Sequence, residues 1–436
     1  MGARRGVATG VVSLLWATGL MAQQAPVVPQ APLEVSLQEA VRRALEVQPA
    51  VVQARGAVSN AGWQMRAAYG AFLPTVTVNS SAFRQNTASF VNGFLASPGT
   101  YQYNTGVTAS LDLFTGFRRG ANRRNADATE DAADAGLVNQ RYQATATTEQ
   151  LFFTALADEE LVRVAQAQVQ RAVEERQISV NKFLAGAATR SDTLTATVDL
   201  GNARLALLQA QANLAAARAN LARQIGVDGQ VRAVPDSTLP ALPDTTTLRA
   251  AALAQAPLVT QATAQARAAS AALAAARSQF WPSLVASYST SSQGLTEPWQ
   301  GFNDGNRNLN QLRIGLSWTL FNGFQREQAT ALSATSLDLA RAQAADTRRQ
   351  VDAQLTQQLA ATFTARAQIG IAGADVAAAD EAVRVQQERY RLGAATLLDL
   401  LTAQANLTQA QVSEVQARYN YLIARAQLEA LVGHSL

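Results

Sequence analysis

The sequence predicts an α+β fold that is internally duplicated, with long α-helical hairpins alternating with β-hairpins. A repeat carries the duplication: GAATRSDTL begins at Gly186 and GAATLLDLL begins at Gly393, 207 residues later. The chain also lacks proline for roughly 65 residues after Gly116, which at ~1.5 Å per residue predicts a helix of about 100 Å. Two segments alternate strictly between apolar and polar residues, a pattern typical of strands with one apolar face.

The composition excludes several classes of function. The chain has 436 residues, no cysteine and a single histidine, His434. Thiolate sites and multi-histidine metal sites are therefore excluded, and we expect no histidine-based catalytic triad. Lys+Arg 36 against Asp+Glu 32 gives a net charge of only +4, which supports nucleic-acid binding weakly. We expect neither an enzyme nor a cofactor.

The amino terminus is typical of an export signal. Arg4 and Arg5 precede an apolar run from Val7 to Leu20, and Ala22 is a suitable residue before a cleavage site. A transmembrane anchor is the alternative, although the run is shorter than the ~20 residues that a spanning helix needs. We therefore expect a signal peptide over residues 1–22.

The remaining chain divides into two halves. Residues 23–226 form the first half, 227–247 a proline-rich connection, 248–433 the second half and 434–436 a short tail. Each half runs helix, proline, β-hairpin, glycine, long helix, tip and return helix. Ser36 and Glu39 form a capping-box pattern at the first helix. A second helical run is expected from about Val51 to Ala71.

The first return helix carries two separate apolar stripes. The second stripe lies about 120° around the helix from the first. A helix with two apolar flanks packs against neighbours on both sides, which favours a wall of helices over the alternative, a two-stranded antiparallel coiled coil. The first stripe contains Leu194, Val198, Gly201, Leu205, Leu208, Ala212, Ala215 and Ala219, and the second Leu200, Leu207, Leu214 and Leu221.

The strand segments have the length of membrane-spanning strands, roughly 9–11 residues. Their apolar faces are expected to meet lipid. The alternative is a soluble sandwich edge or two surface hairpins, which leaves those faces without an obvious core. The expected lipid-facing residues are Tyr101, Tyr103, Val107, Leu111, Leu113, Leu312, Ile314, Leu316 and Trp318.

Four strands do not close a barrel by themselves. The smallest transmembrane barrels have about 8 strands, and open edges are not tolerated in lipid. Three copies of the chain give a barrel of about 12 strands, wide enough for an aqueous lumen. If these strands span a membrane, we therefore expect the chain to oligomerise so that the copies close one sheet.

With these features the chain resembles the TolC-type outer membrane factor family. The resemblance covers residues 33–433 and rests on the duplicated order of elements and on the tip sequences NKFLAGAATRSDTL and RYRLGAATLLDLLTAQ. It implies a homotrimeric tunnel, with a 12-stranded β-barrel in the outer membrane and a 12-helix α-barrel in the periplasm. It also implies an exit duct for drug efflux or type I secretion that works with a periplasmic adaptor and an inner membrane transporter. A periplasmic coiled-coil adaptor or scaffold is the alternative.

The resemblance also implies two roles for the tips. The periplasmic gate is expected at Asp192, Tyr390 and Asp399, with Arg190 as a substitute because Ala395 and Thr402 stand where a well-known member has gate residues. For Asp192 and Asp399 the alternative is stabilisation of a helix N-terminus. Adaptor docking is expected at the turn residues Gly186, Ala187, Thr189, Gly393, Ala394 and Thr396.

Four arginines begin the first long helix: Arg118, Arg119, Arg123 and Arg124. One hypothesis is that they contact anionic lipid headgroups at the periplasmic face of the membrane. The alternative is solvated charge balanced by the carboxylates that follow at Asp127, Glu130, Asp131 and Asp134.

Overall fold

The computed structural model describes residues 32–84, 86–91, 94–99, 101–235, 249, 254–295, 306–434 and 436. The expected signal peptide and most of the connection at 227–247 lie outside these residues. Within them, no helix has both the length and the apolar character needed to cross a membrane.

The first half begins with a short strand and two helices, and then alternates between hairpins. Ser36 caps α1 by accepting the Glu39 N–H at 3.3 Å, as its sequence pattern predicts. Its elements are β1 Leu33–Val35, α1 Leu37–Val47, α2 Pro49–Gly70, β2 Thr75–Arg84, β3 Ser89–Val91, β4 Phe94–Ala96, β5 Tyr101–Thr115, α3 Arg118–Leu184, α4 Arg190–Ile225 and β6 Val231–Ala233.

The second half repeats this order. The long helices α3 and α6 have 67 residues each and the return helices α4 and α7 have 36 each, so every helix boundary in the two hairpins recurs after 207 residues. The elements are α5 Pro257–Arg277, a 3₁₀ turn Ser278–Phe280, β7 Ser283–Gly294, β8 Asn306–Ser317, α6 Gln325–Arg391 and α7 Leu397–Val432. The expected duplication and long helical hairpins are confirmed.

The contacts between the helices arrange them in a layer of four columns. The long helix α3 has α2 and α4 on one side and α5 and α7 on the other, and α6 packs on the far side of α5 and α7. The main core lies around the middle of α3, where Phe152 packs with Leu221 of α4 and with Tyr419 of α7. Among the described residues, the two outer columns, α2 with α4 and α6, each have one side without a neighbouring helix.

The apolar stripes of the two return helices are covered by different neighbours in the two halves. In α4 the second stripe is buried on α3, with Leu200 at 7% and Leu221 at 0% exposure. The first stripe of α4 is open, since Leu205 remains 65% exposed. The equivalent stripe of α7 is instead covered by α3, through contacts that include Val415 and Tyr419. The packing of α7 on α3 therefore shows what kind of helix would cover the open stripe of α4.

The two β-hairpins join into one antiparallel sheet in the order β2-β5-β7-β8. Thr75 pairs with Ser110 in the first hairpin and Ser283 pairs with Ser317 in the second, so the hairpins share one register with offsets of 208 and 207 residues. The central ladder pairs β5 with β7. In the part of the chain that the structure describes, the outer strands β2 and β8 each have one unpaired edge.

The passage from strand to long helix is built the same way in both halves. Phe117 and Phe324, at the N-caps of α3 and α6, have left-handed backbones with φ of 69° and 64°. Each follows a left-handed glycine, so the chain reverses sharply between sheet and helix. In the first half Phe117 also packs edge-on against Trp281 at 5.7 Å.

An arginine side chain forms hydrogen bonds across each of these joints between strand and helix. Arg119 donates from Nη2 to the Leu113 carbonyl oxygen at 3.1 Å, and Arg326, 207 residues later, donates to the Leu320 carbonyl oxygen at 2.9 Å. Each guanidinium also lies over a phenylalanine ring, at 4.8 Å and 4.7 Å. In the basic cluster at the start of α3, Arg119 is therefore engaged by the protein itself.

Candidate functional site

The two tips of the helical hairpins have the same construction. α3 ends at Leu184, and Gly186 reverses the chain with φ of 74°; α6 ends at Arg391, and Gly393 does so with φ of 79°. A residue with a side chain is strained at these angles, which explains glycine at both positions. In the first turn the Ala187 N–H donates back to the Lys182 carbonyl at 2.8 Å. The tips are therefore rigid turns of the same shape.

The two aspartates expected in a gate cap their own helices. Asp192 Oδ2 accepts the Thr189 N–H at 2.8 Å and its hydroxyl at 2.9 Å, while Asp399 Oδ2 accepts the same two donors of Thr396 at 2.9 and 2.7 Å. These bonds hold the pKa of Asp399 below its usual range. In both helices the threonine and the aspartate form a reciprocal capping box, which satisfies backbone donors of the first turn. The structure thus shows the alternative role of both aspartates, which is stabilisation of a helix N-terminus.

Tyr390 is the expected gate residue that the structure buries. Its side chain is 6% exposed and packs with Ala196 and Leu400. Its hydroxyl lies 3.4 Å from Ser179 Oγ on α3. Among the described residues, Tyr390 has no hydrogen bond to Asp192 or Asp399, and Arg190 has no hydrogen-bond or ion-pair partner. The four expected gate residues therefore do not form one connected network within a single chain.

The expected docking residues lie on the outer surface of the turns. All six are exposed, namely Gly186, Ala187, Thr189, Gly393, Ala394 and Thr396. Large apolar side chains beside them are also exposed: Leu184 at 77%, Leu392 at 76% and Leu398 at 72%. These three leucines were not among the expected docking residues. Their signal was an apolar residue within two positions before a tip glycine or in the first helical turn after it.

Below the main core, polar side chains link α3 to the second hairpin. Arg171 Nη2 donates to Thr408 Oγ1 at 3.2 Å, and Gln404 Nε2 donates to Glu175 Oε1 at 2.6 Å. Higher up, the Tyr419 hydroxyl donates to Glu160 Oε1 at 2.9 Å. We call the contacts of Arg171, Glu175, Ser179 and Lys182 with α6 and α7 the polar seam. Polar contacts of this kind can be exchanged for water when the helices separate.

Glu175 is the most unusual member of the polar seam. Its side chain is only 3% exposed, and its Oε2 atom is buried without a hydrogen-bond partner. Burial, reinforced by the carboxylate of Asp199 on α4, raises the pKa of Glu175 to about 7, against the lowering effect of the Gln404 hydrogen bond. A carboxyl group between two helical hairpins therefore changes charge near neutral pH.

The sheet gathers the expected lipid-facing residues on one face. Leu111 lies opposite Ala286, and Ala286 lies opposite Ile314, so apolar side chains from three strands share that face. Two residues depart from the expectation. The register shifts between Asp112 and Phe114, so Phe114 rather than Leu113 stands opposite Leu284.

Trp318 is the other departure. β8 ends at Ser317, one residue before it. The Trp318 indole N–H donates to the Phe280 carbonyl oxygen at 3.2 Å. Trp318 thus lies at the joint between sheet and helices. The alternation continues past the strand end, which is why the sequence pattern overextended the strand.

Comparison with known proteins gives a family and a fold. The sequence profile described as outer membrane efflux protein matches residues 40–227 and 248–434, one copy in each half. No curated protein matches the chain. Both matched segments contain a tip and a return helix, in agreement with the duplication.

Solved structures of the same fold cover almost the whole chain. The CmeC outer membrane channel of Campylobacter jejuni superposes with a TM-score of 0.79 at 19% identity, covering 91% of this chain and 85% of its own. The outer membrane protein VceC of Vibrio cholerae gives 0.78 at 17%, covering 92% and 96%. The open state of the MtrE outer membrane channel of Neisseria gonorrhoeae gives 0.74 at 21%, covering 92% and 89%.

These matches agree with the channel that the sequence predicts and do not favour the adaptor or scaffold alternative. The family consists of channels rather than enzymes. The chain belongs to the outer membrane efflux protein family and is a channel of the outer membrane that extends into the periplasm.

Proposed function

We propose that three copies of this chain close into one tunnel, which serves as the passive exit duct of a tripartite efflux pump or a type I secretion system. The observation that carries the proposal is a pair of open junctions, one in the helical layer and one in the sheet. Each has a filled counterpart inside the chain. A second copy that repeats the internal junction fills both at once, and repetition around an axis closes a ring.

In the helical layer the open junction is the first stripe of α4. Leu194, Val198, Leu205 and Leu208 are between 58% and 65% exposed. Of the equivalent residues of α7, Val415 lies in the main core on α3 and Leu401 packs in the same cluster as Ile178 of α3. By the duplication, the α4 stripe of one copy packs on α6 of the next copy. This arrangement removes a row of large apolar side chains from water, which favours association.

In the sheet the open junction lies between β8 and β2. The internal junction pairs Ser110 of β5 with Ser287 of β7. Ser317 stands 207 residues after Ser110, and Asn79 stands 208 residues before Ser287. Ser317 of one copy is therefore expected to lie opposite Asn79 of the next. Three copies of four strands give a barrel of about 12 strands without an open edge.

A cysteine pair tests this register directly, because the native chain has no cysteine. We expect Ser317→Cys with Asn79→Cys to form disulfide-linked dimers and trimers in outer membranes under mild oxidation. The matched control combines Ser317→Cys with Phe83→Cys, four residues along β2 and roughly 13 Å away. A disulfide needs Cα atoms within about 7 Å. Equal crosslinking of both pairs, or none with the first pair, would contradict the proposed ring.

The tips are the proposed contact with the partners. We assign adaptor docking to Gly186, Ala187 and Thr189 in one tip and to Gly393, Ala394 and Thr396 in the other. Their exposure and the rigid turns support this assignment. The adaptor is a periplasmic membrane fusion protein, and its inner membrane transporter supplies the energy. A photo-crosslinking residue at Ala187 or Ala394 should capture the adaptor; capture only from mid-helix positions would place docking elsewhere.

The gate is proposed to lie at the same tips and to involve Asp192, Tyr390, Asp399 and Arg190. The burial of Tyr390 between the hairpins supports its role in holding them closed. The aspartates fix the first turns that carry the tip residues. Arg190 begins α4 and is exposed, so it is free to meet a neighbouring copy in the trimer.

A further inference from the structure

We propose that Lys182 is a positioning residue that fastens the second hairpin to the first at the closed tip of each chain. The inference deepens the proposed channel function and adds a residue to the gate. Lys182 is the single lysine of the chain, whose other 35 basic residues are arginines. It lies in the last turn of α3.

The ammonium group of Lys182 holds Tyr390 in two ways. Nζ lies 3.7 Å from the centre of the Tyr390 ring, and it also donates to the Tyr390 carbonyl oxygen. Tyr390 is the penultimate residue of α6, so this carbonyl belongs to the helix C-terminus, where a positive charge is favourable. The Lys182 ammonium group thus interacts with both the C-terminal end of α6 and the face of the Tyr390 ring, which belong to the opposite hairpin.

The two hairpins do not share this contact by symmetry. Position 389 is the equivalent of Lys182, and Arg389 turns instead to its own tip, where Nη2 approaches the Ala394 carbonyl at 3.4 Å. Position 183 is the equivalent of Tyr390, and Phe183 has no hydroxyl and is 43% exposed. A lysine and a tyrosine therefore face each other at the hairpin junction within the chain, whereas the equivalent positions carry an arginine and a phenylalanine.

The neighbouring residues explain how the contact holds the tip. Ser179, one turn earlier on α3, lies 3.4 Å from the Tyr390 hydroxyl. Tyr390 is thereby held at its ring, its hydroxyl and its backbone by one face of α3. For the second hairpin to move away from the first, the ammonium group must leave both partners. Its exposure to a reagent therefore reports whether the tip is fastened.

The test uses the chemistry of the single lysine. Purified full-length protein is treated with an amine-reactive acetylating reagent, and the modified peptides are quantified by mass spectrometry. Arg391→Lys supplies an internal standard, because the Arg391 side chain is 73% exposed on the same helix as Tyr390. We expect Lys182 to react about tenfold more slowly than Lys at 391, the preference that a partly buried cation–π contact with a charge-assisted hydrogen bond provides.

Two substitutions of Tyr390 separate the ring from its hydroxyl. Tyr390→Leu keeps a large apolar side chain but removes the ring, and it should remove most of the protection of Lys182. Tyr390→Phe keeps the ring and should preserve the protection of Lys182. Equal reactivity of Lys182 and the standard in the otherwise native protein would overturn the proposal, as would protection that is unchanged in Tyr390→Leu.

A conductance measurement then connects the contact to the gate. In planar bilayers Lys182→Met should raise the open fraction, and Lys182→Arg should restore part of the closed state, whereas Arg389→Met serves as the matched control at the equivalent position. A protected Lys182 in a protein that forms no channel would contradict the proposed function and leave the contact standing. A channel whose opening is insensitive to Lys182→Met would remove Lys182 from the gate.

Discussion

The buried carboxyl of Glu175 gives a prediction about pH that the structure allows us to quantify. Its pKa rises from 4.5 to about 7 in the folded protein. At about 1.4 kcal/mol for each pH unit, the charged form then costs the fold roughly 3 kcal/mol. Asp199 contributes by repulsion and Arg171 opposes it.

The sign follows from the raised pKa. Folding favours the protonated form, so the fold carries no penalty below pH 4.5, the penalty grows between pH 4.5 and about 7, and it is complete above that. Glu175→Gln keeps an oxygen that can accept from Gln404 and removes the charge. We expect the variant to be more stable than the native protein at pH 8 by up to about 3 kcal/mol, and nearly unchanged at pH 4.

Thermal or denaturant unfolding of the detergent-solubilised protein at both pH values measures this difference. The matched control is Glu174→Gln, because Glu174 is the exposed neighbour on the same turn. The reasoning would be refuted if Glu175→Gln destabilised the protein at pH 8. That result would mean that attraction between Glu175 and Arg171 outweighs the cost of burial.

Two further predictions concern the tip and the joint. Asp399→Asn keeps an oxygen for the Thr396 N–H but removes a charge repeated three times around the proposed tunnel, so cation selectivity in planar bilayers should fall; unchanged selectivity would exclude a charge ring. Gly116→Ala should destabilise the fold by several kcal/mol, because φ is +62° and the added Cβ would lie 2.5 Å from the Ser278 carbonyl oxygen. Gly323 has a similar φ but open space around it, so Gly323→Ala should lower the free energy of unfolding by only about 1–2 kcal/mol. Equal losses of stability in the two variants would contradict the steric argument.

Much of the architecture was predictable because it depends on periodicity and on repeated glycines. The 207-residue offset placed the ends of the long helices within a few residues, since each helix ends where a glycine must adopt positive φ. The open α4 stripe was also visible in the sequence, although the sequence did not show which of its two stripes α3 covers. Spacing alone does not distinguish a neighbour in the same chain from one in another copy.

The details of the site were less predictable because they depend on contacts between distant segments. Asp192 follows Thr189 by three residues, and this spacing fits both a capping box and the expected gate. The sequence does not decide between the two roles, and the structure shows the cap. Lys182 stands out in the composition, but its partner is 208 residues away. The left-handed backbone of Phe117, which recurs at Phe324, was not predicted, because nothing in a phenylalanine indicates it.

The contacts of α3 change in character between its middle and its tip. Near the middle, Phe153 lies 6.5 Å from Tyr419 across an apolar contact, while from Arg171 to the tip polar contacts to the second hairpin alternate with small apolar clusters such as that of Ile178 with Tyr390. The stretch from Phe153 to Gly186 is about 50 Å long at 1.5 Å per residue. We expect this stretch to act as a lever that turns about the aromatic pair. In the proposed channel, a small rotation at the pair would give a wide displacement at the tip.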